Sequence, residues 1–550
     1  MSGAGAPRTA ALDPRRGACD NASPVRPILR AAIALILLAA AAAPAAAATM
    51  TVASEDDPDS LDPALAYAPE SWQVLANAGE GLVAYRREAG AAGAGVVPAL
   101  AQAMPEVSDG GRRLVFRLGP AARFGPPESR PVRPSDIKAS IERLFLVRSP
   151  GRGLFRGIRG ARAFEAAREG GVAGIVARDS SGEVEFRLVR SDPAFLRVLA
   201  LPFAFALPRG TPASDQGSAG LASAGPYRVA RYERGALIEL QRNHGYVAGG
   251  AGPAEGPDRV VVELGVPPDE AMRRIRAGDL DYTMSRPTRE EVAALTGSSA
   301  QVRRHVEGTT YYFFMNTRRA PFDDLRVRRA VNLAIDRRAL AAAFGGQAVP
   351  TARILPPGMP GGRRAAALPA PDLATARRLV SRARAAGAAV TLWGHTREPS
   401  PAVTRRLAST LTAIGLRPQV RLWDRQALLG ALSDPAVPSQ IGYARWRNDF
   451  PDGADWFQLL LSGSAIRKGG NLNYSLLDDD RVDRLIARAA GTWDPALRAG
   501  RWRAVERAVE SLAPWAPFAN GVTVDVLSAR VRGYVPHQLY GFLWMRARID

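Results

Sequence analysis

An α/β fold built on mixed sheets is what this sequence predicts, on three observations. Short apolar stretches alternate with longer stretches of helical period along most of the chain. One segment, residues 388–461, reads strand, helix, strand, helix, strand in unbroken succession. Hydrophobic residues make up 47% of 550, enough for ordinary globular cores, and no tandem repeat or long low-complexity linker interrupts them.

Taken in order, Met50-Thr51-Val52-Ala53 reads as a strand and is followed by Pro58-Asp59-Ser60-Leu61-Asp62-Pro63. Ser71 to Ala84 forms a helix running into Gly81-Leu82-Val83, and Ala89 to Gly95 a Gly/Ala loop. Leu114–Leu118 and Val184–Leu188 alternate as strands do. Between them Pro134-Ser135-Asp136 starts a helix in which Ile137, Ile141, Leu144 and Phe145 share a face. Tyr227-Arg228-Val229 pairs with Leu237 to Leu240, and Val260 to Leu264 is a buried strand. Asp269 then caps a helix carrying Met272 and Ile275, ended by Gly278.

Tyr311 to Asn316 is a strongly apolar strand midway along the chain. After Pro321-Phe322-Asp323-Asp324, an aspartate caps a helix by accepting backbone N–H bonds. Val327, Ala330, Val331, Ala334 and Ile335 form its inward stripe, which leaves Arg326, Arg328, Arg329 and Asn332 facing solvent. Asp336 caps a second short helix.

The functional reading concentrates on 388–461. Ala389 to Trp393 is a strand. Val403, Leu407, Leu411 and Ile414 lie on one face of a helix that Gly415 closes by taking a left-handed conformation. Pro418 to Trp423 and Gln440 to Trp446 are further strands around a short helix, Gln426 to Leu432. Right-handed crossovers make these three strands parallel, so all end on one edge, where ligands of such sheets bind. Arg397 follows the first strand and Asp449 the third. A cation and an anion on one rim suit a zwitterion.

Net charge is +20, almost all of it arginine, with Lys138 and Lys468 the only lysines. No lysine-rich tail or RNA-binding signature accompanies the charge, so it points to coding bias rather than to nucleic acid. Arg26 and Arg30 precede an apolar run from Ala31 to Ala43, then Pro44 and Ala45 to Ala48: an export signal cleaved near Ala48. The apolar run is shorter than the roughly 20 residues a membrane span needs. Cys19 lies upstream of that run, so the mature chain carries no cysteine, hence no disulfide and no thiol nucleophile.

Phe314-Met315-Asn316-Thr317-Arg318-Arg319-Ala320-Pro321-Phe322-Asp323-Asp324-Leu325-Arg326-Val327-Arg328-Arg329-Ala330 resembles the central signature of the family 5 extracellular solute-binding proteins, receptors of ABC importers for dipeptides, oligopeptides and nickel. Val97-Pro98-Ala99-Leu100-Ala101 with Asp109-Gly110-Gly111, Ser223-Ala224-Gly225-Pro226-Tyr227 and Gly278-Asp279-Leu280-Asp281 resemble other family turns, in the family's order.

The resemblance implies a two-lobe periplasmic-binding-protein fold of type II, cluster C-like, with mixed sheets. Residues 1–48 are the signal and its extension, 49–306 lobe I with an extra subdomain at 87–204, 307–520 lobe II, and 521–550 a return to lobe I. The chain crossings near Tyr311–Phe314 and Phe518–Gly521 become hinges. Trp446-Arg447-Asn448-Asp449-Phe450-Pro451-Asp452 resembles the peptide receptors' segment whose aspartate takes the α-ammonium, with Gly453 where proline is usual. His395-Thr396-Arg397-Glu398-Pro399 resembles the dipeptide receptors' segment whose arginine holds the α-carboxylate. Trp393, Trp446 and Trp456 are candidates for side-chain pockets, and His395 is the one histidine placed near the cleft.

A monomeric, periplasmic receptor that binds a peptide or similar zwitterion and docks on permease subunits is therefore expected, with no cofactor, no metal site and no catalytic residue. The alternative within the family is a nickel-chelate or other small-solute receptor; the alternative outside it is a secreted hydrolase. No HExxH helix, P-loop, GxSxG elbow or GxGxxG with a following acidic residue supports an enzyme.

Overall fold

Two long strands, Gln301–Met315 and Trp515–Leu527, run antiparallel side by side in the middle of an 11-stranded sheet. The computed structural model describes residues 48–217, 220–363 and 368–550, and Thr49–Asp550 form one compact unit. Except for Ala48, the expected export signal lies outside the described residues, as does Cys19.

On one flank of the long pair, Ile441–Arg447 joins antiparallel to Gln301–Met315, followed by Ala389–His395 and Arg417–Trp423, both parallel to it. The parallel unit expected over 388–461 is thus present, and its strands end on a common edge. Helix Ser400–Ala413 covers it with Val403, Leu407 and Leu411, all fully buried, and Gly415 follows in the left-handed region at φ +95°. On the other flank come Tyr282–Thr283, Thr49–Ser54, Arg259–Leu264, Leu237–Arg242 and Tyr227–Glu233. Thr49–Ser54 is parallel to both its neighbours, whereas the outer strands are antiparallel, so the sheet is mixed as expected.

Tyr311 to Met315 form a continuous apolar run because both faces of the sheet are covered there. Tyr312 stacks on Trp515 with centroids 3.6 Å apart, and Phe313 stacks on Phe518 at 4.9 Å. The ladder between the long strands slips between Val306 and Thr310, at Glu307-Gly308, and again at Tyr311/Tyr312. A separate four-stranded sheet holds Glu106–Ser108, Arg113–Arg117, Glu183–Arg187 and Ile175–Arg178. Helix Pro134–Leu146 packs on it through the expected face of Ile137, Ile141, Leu144 and Phe145.

Several local expectations are corrected. The helix expected to extend to Ala84 spans Pro69–Ala78 and stops at Gly79, where a Cβ would overlap the Phe205 ring; Val83–Tyr85 is a strand. The Gly/Ala loop contains a short helical turn, Gly90–Gly93. Pro267, not Asp269, is the N-cap of Pro268–Ala277, and Asp269 sits in the first turn instead, where its charge favours the helix dipole. Asp324 and Asp336 cap as expected, each accepting a backbone N–H. Arg328 is not on a solvated face. It is buried, and its guanidinium donates to the carbonyls of Phe322, Asp323 and Leu512, which stand beyond the local helix pattern.

Candidate functional site

Asp449 lies two residues past the end of Ile441–Arg447, at the carboxyl edge of the parallel strands. Its own N–H donates to Asp455 Oδ2 at 3.0 Å, and the Trp446 indole N–H donates to the same oxygen at 3.0 Å. These two bonds lock the turn that presents the Asp449 carboxylate. Its Oδ1 accepts the Tyr67 hydroxyl at 2.8 Å, a contact between segments 382 positions apart. The Tyr67 ring is half exposed, stacked on Phe203 and edge-on to Trp72, while its hydroxyl end turns inward.

A cavity of about 180 Å³ opens here, lined by Tyr67, Pro69, Trp72, Arg447, Asn448, Asp449 and Leu539. A larger hollow of about 590 Å³ lies elsewhere, beside Pro321, Asp323, Asp324 and Arg384. We place the site by chemistry rather than by size: the smaller cavity has a shielded carboxylate, a cation and aromatic walls, the mixture that orients a small ligand.

Burial pushes the Asp449 carboxyl above the usual carboxylate range, and the Tyr67 hydroxyl opposes that shift. Asp455, fully buried, is pushed well above it, by burial first and then by the charge of Asp449. Burial also raises the Tyr67 phenol, as does Asp449, so Tyr67 remains a donor. Deeper in the same region, burial works to raise Glu307, yet Arg286 and Arg447 and the hydroxyls of Thr523 and Thr309 outweigh it and hold it at about 2.

Asp452, not Asp449, caps the helix that follows, Gly453–Leu460, accepting the Ala454 N–H at 2.9 Å. Asp452 is fully buried and clamped by Arg498 through two bonds of 2.8 and 2.7 Å.

The other expected residues divide. Trp446 joins the Asp449 cluster through Asp455. Trp456 is fully buried in the core, so its indole forms no part of the cavity wall; it sits on the inward face of Gly453–Leu460. Trp393 is buried against Trp423, with ring centroids 5.1 Å apart. His395 packs edge-on to Tyr443 at 5.3 Å, and burial, then Arg425 and Arg445, lower its pKa. Arg397 is exposed, its charge felt by His395 and Asp424, and among the described residues no hydrogen bond or ion pair joins it to Asp449. Tyr67, Asp455 and Arg447 were not singled out by sequence reasoning. Asp455 had a usable signal, an acidic residue one helical turn past the Asp449 segment, whereas Tyr67 comes from a distant segment and carried none.

A family model of bacterial extracellular solute-binding proteins, family 5 (middle region), matches residues 95–468. Di/tripeptide-binding protein 2 of Pseudomonas aeruginosa is 26% identical over 475 residues, covering 83% of this chain and 87% of its own. Heme-binding protein A of Haemophilus influenzae is 25% identical over 471 residues, covering 80% and 82%. Among solved structures, clavulanic acid biosynthesis oligopeptide binding protein 2 superposes with a TM-score of 0.81 at 27% identity, over 91% of this chain and 95% of that one.

Proposed function

The chain belongs to the family 5 bacterial extracellular solute-binding proteins, and we propose that it captures a di- or tripeptide, or a similarly small zwitterion, and delivers it to the permease of an ABC importer. The observation that carries this reading is the Asp449 carboxylate: partly buried, held in place from behind by Asp455, and walling a cavity sized for a small solute. An ammonium group is the partner such a carboxylate lacks. A relative that binds di- and tripeptides favours the peptide, while one that binds heme shows that the frame alone does not fix the solute.

In this reading 49–306 with 521–550 form one lobe, 87–204 its extra subdomain and 307–520 the other lobe. Closure bends the two long strands at the crossings near Tyr311–Phe314 and Phe518–Gly521, and the ladder slips between Val306 and Thr310 and at Tyr311/Tyr312 support a bend there. A ligand shifts the closed fraction only by binding that state more tightly, and Asp449, drawing together ammonium and Tyr67, supplies such a difference. The closed monomer then docks on its permease. Export through the signal at 1–48 puts it in the periplasm. It acts as a receptor and leaves the solute unchanged.

The test uses purified mature chain and a set of dipeptides with free or acetylated amino ends, measured by calorimetry and by mass spectrometry of the recovered solute. One-to-one binding that is lost on acetylation, with the peptide returned intact, is expected. Equal binding of both forms sinks the Asp449 assignment, and recovery of cleaved peptide sinks the receptor reading.

A further inference from the structure

The cavity that holds Asp449 contains a second charge, and it is not Arg397. Arg447, the last residue of its strand, lines the same 180 Å³ space two positions before Asp449. Asn448 between them is buried: its N–H donates to Gly308 O at 2.9 Å, and its side chain crowds the Cα of Gly308. Arg447 and Asp449 flank it, the one closing the strand and the other in the turn that follows, and both line the cavity.

Among the described residues these two opposite charges form no ion pair with each other. A guanidinium has five N–H donors. That of Arg447 makes one long bond, 3.5 Å to Leu539 O. The carboxylate with most effect on it, Glu307, is already taken by Arg286 at 2.7 Å and by the hydroxyls of Thr309 and Thr523. Arg286 and Arg445 add like charge nearby. Asp449 Oδ2 likewise accepts no bond among the described residues, since Tyr67 occupies Oδ1. A cation and an anion, each short of a partner, share one small chamber.

Resting on the reading above, we propose that Arg447 grips the solute's carboxylate with two parallel N–H bonds while Asp449 takes its ammonium, so that the site selects free dipeptides by both ends at once. The planar fork of arginine suits a carboxylate in this way. An extended dipeptide spans at most about 7 Å, short enough for one small chamber to hold both of its ends. The volume, below the roughly 300 Å³ where drug-sized sites begin, excludes long peptides lying wholly inside.

Calorimetry with dialanine, dialanine amide and N-acetyl-dialanine on the mature chain tests this. Wild type should bind dialanine about a hundredfold more tightly than its amide, because a buried charge loses its partner. Arg447→Gln should bring acid and amide within about threefold of each other, Arg447→Lys should keep part of the preference, and Arg397→Gln should keep all of it. Wild type that loses affinity on acetylation but not on amidation leaves Asp449 as the ammonium site and overturns the role of Arg447. An Arg397→Gln variant that erases the preference overturns it too. Wild type that binds none of the three defeats the peptide reading and this inference with it. The wild-type comparison stands even if a variant fails to fold.

Discussion

Tyr67 donates its hydroxyl to Asp449 Oδ1 at 2.8 Å, joining the stretch before helix Pro69–Ala78 to the edge of a strand 382 positions later. One bond thus aims a carboxylate that walls the cavity and couples the two segments that meet there. Hydrogen bonds to charged groups are worth about 1.5–3 kcal/mol, and the partly exposed ring argues for the lower end. Tyr67→Phe should therefore weaken dipeptide binding roughly tenfold. Unchanged affinity by calorimetry would show that the hydroxyl bond is incidental.

Asp449→Asn removes the charge but keeps the shape. An ammonium then enters the cavity without its counter-ion, at a cost of about 3–5 kcal/mol, so affinity should fall roughly 10²–10³-fold. Thermal unfolding of the unliganded variant should not suffer, since the wild-type carboxylate is itself shielded and disfavoured there. A variant that binds normally places the ammonium elsewhere.

These two residues mark what the sequence could and could not disclose. The place of Asp449 at the sheet edge was legible because strand periodicity fixed that edge, and its flanking residues resemble a family pattern. Tyr67 was not, because nothing local ties residue 67 to residue 449; only the assembled sheet does. Arg397 was drawn in by the same edge argument, which locates a backbone position but not the direction of a long side chain, and the structure leaves it exposed. Trp456 shows the opposite failure. Its place in an apolar helical face signals burial, and burial in the core is where it goes. Arg328 looked solvated by helical period, yet free carbonyls from Leu512 and the preceding turn drew it inside. The parallel unit itself was read correctly, because its spacing depends on neighbours in sequence.

Asp455 offers a test by pH. Its folded pKa lies well above the ordinary carboxylate value, through burial and then Asp449, so the folded chain prefers its acid form. The stability it contributes is complete below about pH 3.9 and is lost as pH rises through the folded value. Asp455→Asn keeps an acceptor for Trp446 and for the Asp449 N–H but cannot ionise. The variant should unfold at a higher temperature than wild type at pH 8, with the gap closing toward pH 4. A gap that is constant with pH would mean that Asp455 titrates normally.

The Asp452–Arg498 pair is a different kind of contact, with neither side chain reaching water. Arg498 and Arg197 more than offset the burial that would raise Asp452, and its carboxyl stays below the usual range. Asp452→Ala strands a buried guanidinium and also strips the cap from Gly453–Leu460, so a loss of about 3–5 kcal/mol in urea unfolding is expected. Arg498→Met should cost less than Arg498→Ala, because the methionine refills the space beside Trp502. Equal losses would mean that volume plays no part.

Gly453 stands where the family pattern has proline, and packing explains the exchange. As the first residue of its helix, the position tolerates a proline backbone. What it does not tolerate is a Cβ: one built there would lie 2.5 Å from the Trp502 indole, which is fully buried and has nowhere to retreat. Gly453→Ala should thus destabilise by about 1–3 kcal/mol through overpacking, although alanine is the better helix former. Because the helix begins only four residues past Asp449, the same substitution should also loosen dipeptide binding, with the acid-to-amide ratio unchanged. A more stable Gly453→Ala protein would show that Trp502 yields, and that glycine is not required there by packing.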